Sequence, residues 1–376
     1  MSIHRIGVNA LFLEPRMGGI ENYLRALVPE LAKATPESSF TLFVNPRGAQ
    51  RLASTDWPSN VEFSCHSILG HKGLKAASEL TALGALAGRK VDLVHSVAMT
   101  APLWTRAANV VMLPDLTWLV APDPGDRATN TLWRLIVPPV ARLADRVIVP
   151  SHATADHVVT YLRVDQRRID VVPLAAAAHR DVTPTPRDVL RRQFGLGAGP
   201  IILTVAAKRV NKNLPALLRA LPSILVDWPD AVLVIPGNPT PHERELRALA
   251  AELGIADSVV FPPYVSPEEL EGLYHAASVF VFASINEGFG LPILEAMRRG
   301  VPVACSNVSS LPEVAGDAAR YFDPTSVEDI AGAISDLLAN RGLANDLAER
   351  GRRRERQFTW ARTAQATLES YERASS

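Results

Sequence analysis

The sequence predicts an α/β protein with two Rossmann-like, doubly wound domains, and three observations support this class. Short β-rich runs alternate with amphipathic helical patterns, as expected for βαβ units and parallel sheets. The chain has 376 residues, more than one hydrophobic core usually serves. The alternation also restarts near Ile201, after a linker-like segment. We therefore expect two domains whose strand ends face one interdomain cleft that binds the ligand.

The first half of the chain has the pattern of one such domain. Its predicted strands and helices, in chain order, are Ile6–Leu11, Glu21–Lys33, Phe40–Val44, Val91–His95, Val110–Leu113, Val147–Val149, Ala153–Leu162 and Arg168–Pro173. The segment Ala175–Pro186 has the alanine, threonine and proline content of a linker. We place the first domain at residues 1–178.

The second half repeats the same rhythm. Its predicted elements are Ile201–Val205, Leu214–Val226, Ala231–Ile235, Pro241–Leu253, Val259–Phe261, Glu268–Ala276, Val279–Phe282, Pro292–Arg299 and Val301–Ala304, with helices after Ser326 and Leu343. We place the second domain at residues 187–355. Residues 356–376 are expected to form a helix that crosses back to the first domain.

Composition excludes several classes of protein. Apolar residues make up 47% of the chain, and 39 basic residues balance 39 acidic ones, so charge gives no argument for nucleic acid. No apolar run approaches the roughly 18 residues of a membrane span, and no signal peptide precedes the first strand. We expect a cytoplasmic protein. Cys65 and Cys305 lie far apart in the sequence and are expected to be reduced core residues.

The most informative segment joins a predicted strand to a predicted helix at residues 283–300. Gly288 and Gly290 lie in the connecting loop, and Pro292 suits the first turn of the helix. Glycines allow the backbone to approach a ligand closely, and the loop amides together with the positive helix end attract anions. The segment therefore predicts a site that holds a pyrophosphate without a metal ion.

Two carboxylates flank this predicted anion site. Glu287 lies in the loop and Glu295 in the first turns of the helix. Because carboxylates repel phosphate, both are expected to contact hydroxyl groups. The alternative is that Glu287 is an ordinary loop residue and Glu295 complements the helix dipole. Taken alone, a loop with two glycines leaves both interpretations open.

The segment Ala283–Gly300 resembles the Glu, seven residues, Glu signature of glycosyltransferase family 4. Residues 261–270, 273–274, 309–319 and 358–360 resemble the same family, so the likeness covers nearly the whole chain. It implies a GT-B fold and a retaining, metal-independent hexosyltransferase. The implied donor is a nucleotide diphosphate sugar, with GDP-mannose favoured. The implied acceptor is a glycan or a lipid-linked sugar in polysaccharide or glycolipid assembly, bound on the first domain, while the second domain binds the donor.

The resemblance also assigns roles to individual residues of the second domain. Glu287 would bind hydroxyl groups of the donor sugar, and Glu295 would bind the ribose hydroxyls. Next to Gly288, the backbone amides of Phe289, Gly290 and Leu291 would receive the phosphates.

Basic residues follow the first predicted strand of the second domain. Lys212 matches the lysine of the family's Lys-Asn pair, and Arg209 lies close to it. We expect Lys212 to contact the diphosphate, because a cation must offset the charge of the leaving group when no metal ion does. Arg209 is a second candidate for the same role. Ala206 stands where the family has a glycine.

The first domain contributes four candidate residues. Gly18 and Gly19 resemble the family's Gly-Gly-Xaa-Glu loop and would present amides to phosphate or acceptor, the alternative being a tight turn. His95 and Asp115 follow predicted strands and are expected to face the cleft on the acceptor side. A buried core histidine is the alternative for His95. Pro114 stands where family members commonly have histidine.

Partners and rival functions complete the prediction. No Asp-Xaa-Asp occurs, and no His/Asp/Glu cluster has metal-ligand spacing, so neither a metal ion nor another cofactor is expected. The resemblance implies a nucleotide sugar as co-substrate. The basic amphipathic stretches Arg127–Arg146 and Leu69–Lys90 would place the protein peripherally at the inner face of the membrane, or they are ordinary surface helices. A nucleotide-sugar 2-epimerase and a catalytically weak sugar-nucleotide-binding protein remain open as alternatives.

Overall fold

A computed structural model shows a chain of two compact units. It describes residues 3–13, 18–66, 72–88, 90–123, 126–176, 182–237, 240–263 and 265–375. Unit 1 comprises Met1–Leu116, Ala128–Ala177 and Phe358–Ser376, and unit 2 comprises Thr117–Arg127 and Ala178–Gln357. Met17 and residues 177–181 of the predicted linker lie outside the described residues.

Unit 1 is built on a parallel sheet of seven strands. The strands are β1 (Arg5–Ala10), β2 (Ser39–Val44), β3 (Val61–Cys65), β4 (Leu93–Ser96), β5 (Ala108–Met112), β6 (Arg146–Val149) and β7 (Ile169–Val171). Their order in the sheet is β3-β2-β1-β4-β5-β6-β7. The order reverses between β1 and β4, as in doubly wound folds, so the loops after these strands diverge at the carboxyl edge.

Unit 2 contains a parallel sheet of six strands. The strands are β8 (Ile201–Leu203), β9 (Val232–Val234), β10 (Val259–Val260), β11 (Val279–Phe282), β12 (Val303–Ser306) and β13 (Ala319–Phe322), in the order β10-β9-β8-β11-β12-β13. Here the order reverses between β8 and β11. The two-domain α/β prediction is therefore confirmed.

Helices connect the strands in both units. They are α1 (Gly18–Ala34), α2 (Pro46–Leu52), α3 (Lys72–Ala87), α4 (Thr117–Val120), α5 (Arg127–Leu143), α6 (His152–His157), α7 (Arg187–Phe194), α8 (Leu214–Asp227), α9 (Pro241–Glu252), α10 (Pro267–Ala276), α11 (Leu291–Arg298), α12 (Leu311–Ala315), α13 (Val327–Ala339), α14 (Arg341–Glu355) and α15 (Trp360–Ala374). None of the described helices is both long and apolar enough to cross a membrane.

Helix α15 belongs to unit 1, although it follows unit 2 in the sequence. It begins at the side-chain cap of Thr359 and packs against α1, where Trp360 makes an edge contact with Tyr23 at 5.8 Å between ring centroids. Thr363 donates from its hydroxyl to the carbonyl of Pro173 at 2.8 Å. These contacts hold the helix against α1 and against the segment that follows β7.

The core of unit 2 lies between the sheet and the helices α8 and α13. Leucines of α8 and isoleucines of α13 are buried there together with residues of β8 and β11. The apolar positions of α8 recur with helical spacing at Leu214, Leu217, Leu218 and Leu221, which explains why this segment is a helix with one buried face.

The sequence pattern missed the two edge strands β3 and β13. Both are only partly buried, so their residues do not show the continuous apolar run of a central strand. The same edge position corrects the expectation for Cys65, whose side chain is exposed at the end of β3. Cys305, in β12, is buried as expected.

Candidate functional site

Two loops of unit 2 carry most of the residues predicted to bind the ligand. They follow β8 and β11, which are neighbours in the sheet, so both loops leave its carboxyl edge side by side. The amide of Ile285 donates to the carbonyl of Asn211 at 2.9 Å, and the Asn211 side chain donates to the carbonyl of Asn286 at 3.1 Å. These bonds fix the two loops against each other.

Lys212 and Glu287 meet where the two loops join. The Lys212 Nζ lies 2.5 Å from Glu287 Oε1, and the two side chains are 16% and 13% exposed. The ammonium group also lies 5.1 Å from the centroid of the Phe282 ring, a cation–π distance. The cation predicted for phosphate and the carboxylate predicted for sugar thus form an ion pair with each other in this conformation.

Arg209 is placed differently from Lys212. It is exposed and directly precedes the short 3-10 turn Val210–Lys212. Its side chain makes no hydrogen bond or ion pair within the described part of the chain. A guanidinium in this position can turn toward an anion at the same strand ends.

The loop after β11 leads into α11 through Gly290. This residue has φ 116°, a conformation that side chains rarely adopt, and a Cβ there would lie 2.9 Å from Leu311 Cδ2. The amides of Gly290 and Leu291 donate to no other group among residues 3–375 that the structure describes. These two donors at the positive end of α11 are available to an anion.

Ser309 and Ser310 brace this loop from the neighbouring connection. The Ser309 hydroxyl lies 2.7 Å from the carbonyl of Glu287, and it accepts from the amide of the same residue at 3.1 Å. The hydroxyl of Ser310 lies 2.7 Å from the carbonyl of Phe289. Ser309 itself has φ 58°, a strained value for a residue with a side chain. Sequence reasoning gave neither serine a function, although both lie in residues 309–319, which carry part of the family resemblance.

Glu295 lies in the second turn of α11 and is half-buried. Its Oε2 accepts a hydrogen bond from the hydroxyl of Tyr274 at 2.8 Å. The other carboxylate oxygen accepts no hydrogen bond from the residues that the structure describes. That oxygen is therefore available to a hydroxyl group.

Lys208 is a buried cation that sequence reasoning did not single out. Its Nζ lies 3.1 Å from Glu243 Oε2 and donates to the carbonyl of Gly237 at 2.8 Å. Burial lowers the pKa of this lysine, and the charge of Glu243 opposes that effect. Because it connects the loop after β8 to the loop after β9, Lys208 supports the shape of the sheet edge.

Three of the candidates in unit 1 follow the strands β1 and β5. Gly18 and Gly19 form the first turn of α1 instead of a tight turn before it, and a Cβ at Gly19 would meet nothing within 4 Å. Asp115 is half-buried in the loop after β5. These three residues keep their predicted roles as proposals.

His95 does not face a ligand site. Its side chain is fully buried, and its Nδ1 lies 2.7 Å from the hydroxyl of Tyr371 on α15. Burial lowers the pKa of His95 to about 3, so the ring is neutral. The expectation that this histidine faces the cleft is wrong in this conformation, and the alternative of a core histidine explains its position.

The chemical character of the site follows from these groups. It offers a cation, an exposed guanidinium, two backbone amides and two carboxylates at the carboxyl edge of one sheet. Amides and cations suit a diphosphate, and carboxylates suit hydroxyl groups. Among the residues that the structure describes, no three His, Cys, Asp or Glu side chains lie close enough to hold a metal ion.

Comparison with known proteins identifies two family profiles along the chain. Residues 186–354 match the family described as "Glycosyl transferases group 1", and residues 18–175 match the family described as "Glycosyl transferase 4-like domain". The first profile includes every site residue of unit 2 described above. The second includes the first turn of α1, β4 and β5.

Curated relatives and solved structures agree with these matches. The serotype-specific mannosyltransferase WbdA of Escherichia coli is 32% identical over 237 residues, which cover 61% of this chain and 29% of WbdA. The D-inositol 3-phosphate glycosyltransferase of Mycolicibacterium smegmatis is 35% identical over 241 residues, covering 62% of this chain and 54% of the relative. The chain thus spans from under a third to about half of these relatives. The structure of Anabaena Alr3699/HepE in complex with UDP-glucose has a TM-score of 0.76 at 19% identity, covering 99% of this chain and 100% of that chain, and so shares its fold.

The contribution of Ser310 to the stability of this loop can be measured with Ser284 as a matched control. Ser310→Ala should lower the free energy of unfolding by about 1–2 kcal/mol, because it leaves loop carbonyls without a donor. Ser284→Ala should change it by less than about 0.5 kcal/mol, because the Ser284 hydroxyl is equally buried but has no partner among the described residues. Urea unfolding of both variants measures the difference. Equal losses would show that the Ser310 hydrogen bonds do not stabilise the loop.

Proposed function

The chain belongs to the group 1 glycosyltransferases of the GT-B type, and on this premise we propose that it transfers a hexosyl group from a nucleotide diphosphate sugar to an acceptor hydroxyl. The observation that carries the proposal is the meeting of Lys212, Glu287 and the free amides of α11 at one sheet edge. Such a set offers charge for a diphosphate and an acceptor oxygen for a sugar hydroxyl within one small volume.

In the proposed reaction, the diphosphate displaces Glu287 as the partner of Lys212. The lysine and the amides of Gly290 and Leu291 then stabilise the charge that develops on the leaving phosphate. Glu287, released from the ion pair, accepts hydrogen bonds from hydroxyl groups of the donor sugar and orients the sugar for attack. Phe289 and Gly288 belong to the same loop and complete its backbone. Arg209 is a second cation within reach of the phosphates.

Family resemblance supports retention of configuration at the sugar. In that mechanism the departing phosphate helps to deprotonate the acceptor hydroxyl on the same face of the sugar. The residues of this chain then contribute orientation and charge stabilisation, and no covalent nucleophile is required. Metal independence is part of the proposal, because Lys212 and the helix amides take the place of a divalent ion at the diphosphate.

The donor and acceptor are proposed more narrowly from the relatives. WbdA is named a mannosyltransferase, which favours GDP-mannose as the donor. Polysaccharide or glycolipid assembly is the proposed context, with a glycan or a lipid-linked sugar as the acceptor. The acceptor would lie on the side of unit 1 that carries Gly18, Gly19 and Asp115.

A lipid-linked acceptor suggests peripheral contact with a membrane, and helix α5 supports this part of the proposal. Leu135 and Leu143 on this helix are 70% and 57% exposed. Arg134 and Arg142, each directly before one of these leucines, are also exposed. Exposed apolar side chains next to arginines suit the interface of an anionic membrane.

The function is tested by calorimetric titration with GDP-mannose, UDP-glucose, ADP-glucose and dTDP-glucose in EDTA, followed by transfer assays. Binding and transfer that persist in EDTA, with the anomeric configuration retained in the product by NMR, support the proposal. Activity abolished by EDTA and restored by manganese would contradict metal independence. Conversion of the donor to its 2-epimer without acceptor would identify an epimerase, and tight binding without transfer or hydrolysis would identify a binding protein.

The exchange of partners at Lys212 predicts opposite effects for the two site carboxylates. Glu287→Gln should tighten binding of the nucleoside diphosphate about two- to tenfold, because the phosphates no longer compete with a carboxylate for the lysine. The same variant should lower transfer roughly a hundredfold, because donor hydroxyls lose a charged acceptor.

Glu295→Gln is the matched control for this substitution. It should weaken the nucleoside diphosphate about tenfold or more, because the proposed acceptor of the ribose hydroxyls is lost. Calorimetry with the diphosphate alone compares the two variants. Equal weakening by both substitutions would contradict the proposed division between sugar and ribose.

Membrane contact is tested with a substitution on α5. Leu135→Asp combined with Leu143→Asp should reduce co-sedimentation with vesicles of phosphatidylcholine and phosphatidylglycerol by about fivefold or more, because it places two anions at the interface. Val226→Asp is the control, since Val226 is 80% exposed on α8 of unit 2. Equal sedimentation of the unaltered protein, the double variant and the Val226→Asp variant would reject α5 as the contact surface.

A further inference from the structure

Tyr274 is a large side chain that is fully buried in unit 2, yet its hydroxyl reaches the site. It lies in the last turns of α10, and its ring packs at 5.8 Å from the ring of Phe280 in β11. Its hydroxyl donates to Glu295 Oε2 at 2.8 Å. Burial raises the pKa of Tyr274 well above its usual value, and the charge of Glu295 adds to this effect, so the phenol stays protonated and remains a donor.

Arg299 also lies against the ring of Tyr274. Its guanidinium carbon lies 4.6 Å from the ring centroid of Tyr274. Its Nη1 donates to the backbone carbonyl of Glu295 at 2.7 Å, and its Nε donates to Glu271 Oε1 at 2.8 Å. Its Nη2 forms a second hydrogen bond with Glu271 Oε2. The guanidinium is 7% exposed, and this two-point pairing holds it in one plane.

These contacts connect two helices around one carboxylate. Tyr274 and Glu271 belong to α10, whereas Glu295 belongs to α11 and Arg299 directly follows it. The ion pair fixes the guanidinium, the guanidinium lies on the ring, and the ring presents its hydroxyl to Glu295. The bond to Tyr274 occupies Oε2, so that the oxygen without a partner, Oε1, has a defined direction.

We propose that Tyr274, held by Arg299 and Glu271, is a positioning residue that sets the orientation in which Glu295 accepts the ribose hydroxyls of the donor nucleotide. The inference rests on the proposed role of Glu295 and adds to it how that carboxylate is kept in one rotamer. Without the tyrosine hydroxyl, a half-buried glutamate has several rotamers, and binding a ribose would have to select one of them.

Tyr274→Phe tests this proposal without opening a cavity, because the ring keeps its contacts with Arg299 and Phe280. The ligands are the ribonucleoside diphosphate that binds tightest among GDP, UDP and ADP, and its 2′,3′-dideoxy analogue. The variant should bind the ribonucleotide about three- to tenfold more weakly than the unaltered protein, which corresponds to about 0.7–1.4 kcal/mol, the range of one hydrogen bond. It should bind the dideoxy analogue with unchanged affinity, since that ligand has no ribose hydroxyl that could donate a hydrogen bond to Glu295.

Tyr321→Phe is the matched control for a lost tyrosine hydroxyl in the same unit. The hydroxyl of Tyr321 donates to the carbonyl of Gly316 at 2.5 Å and has no contact with Glu295. Tyr321→Phe should therefore leave the affinities for the ribonucleotide and for the dideoxy analogue unchanged. Equal weakening of the ribonucleotide and the dideoxy analogue by Tyr274→Phe would show a purely structural role, and no weakening of either would show that Glu295 does not need the tyrosine. Both results would overturn the inference.

Glu295→Ala separates this inference from the function on which it rests. If Glu295→Ala weakens only the ribonucleotide while Tyr274→Phe weakens neither ligand, the ribose role stands and the positioning role fails. If Glu295→Ala weakens the ribonucleotide and the dideoxy analogue equally, the ribose role itself fails. If GDP, UDP and ADP all fail to bind the unaltered protein, the proposed function and the inference are both overturned.

Discussion

The loop between β11 and α11 belongs to neither a strand nor a helix, so its carbonyl groups need donors from outside. Ser309 and Ser310 supply them from the next connection of the sheet, and Asn211 supplies another from the connection after β8. Gly290 can then take the positive φ that turns the chain into α11. The remaining structure of the site depends on this loop, because it fixes Glu287 opposite Lys212 and leaves the amides of Gly290 and Leu291 without partners in the part of the chain that the structure describes.

Charged side chains of the site and of the helices α10 and α11 beside it are arranged in opposite pairs. Lys212 faces Glu287, Lys208 faces Glu243, and Arg299 faces Glu271. Each pair is largely buried, and an isolated charge at such a depth would be strongly unfavourable. The pairs differ in what surrounds them. Lys208 and Arg299 also bind backbone carbonyls. Lys212 contacts the carboxylate and an aromatic ring and, among the described residues, donates to no carbonyl, which makes its pair with Glu287 the one that a ligand can open.

The sequence predicted the central strands and the long helices because they carry strong apolar periodicity. It missed β3 and β13, whose partial burial removes that signal. Glu287 and Glu295 could be found from a motif, since their spacing is fixed by one loop and one helix, and Lys212 could be found from the separate Lys-Asn pair after β8. Tyr274, Ser310 and Lys208 could not, because they act through contacts between segments distant in sequence. His95 was expected at the ligand for its place at a strand end, but the packing of Tyr371 on α15 encloses it.

The position of α15 in the chain has a consequence for biosynthesis. A ribosome makes the strands and the other helices of unit 1 first, together with the short unit 2 segment Thr117–Arg127. It then makes the rest of unit 2 from Ala178 to Gln357, and only afterwards α15, the helix that packs on α1. Until then Tyr23 and His95 lack their partners Trp360 and Tyr371, and the surface of α1 that packs against α15 is uncovered. Unit 2 contains no segment that is made after Gln357, so the nascent chain completes unit 2 before unit 1.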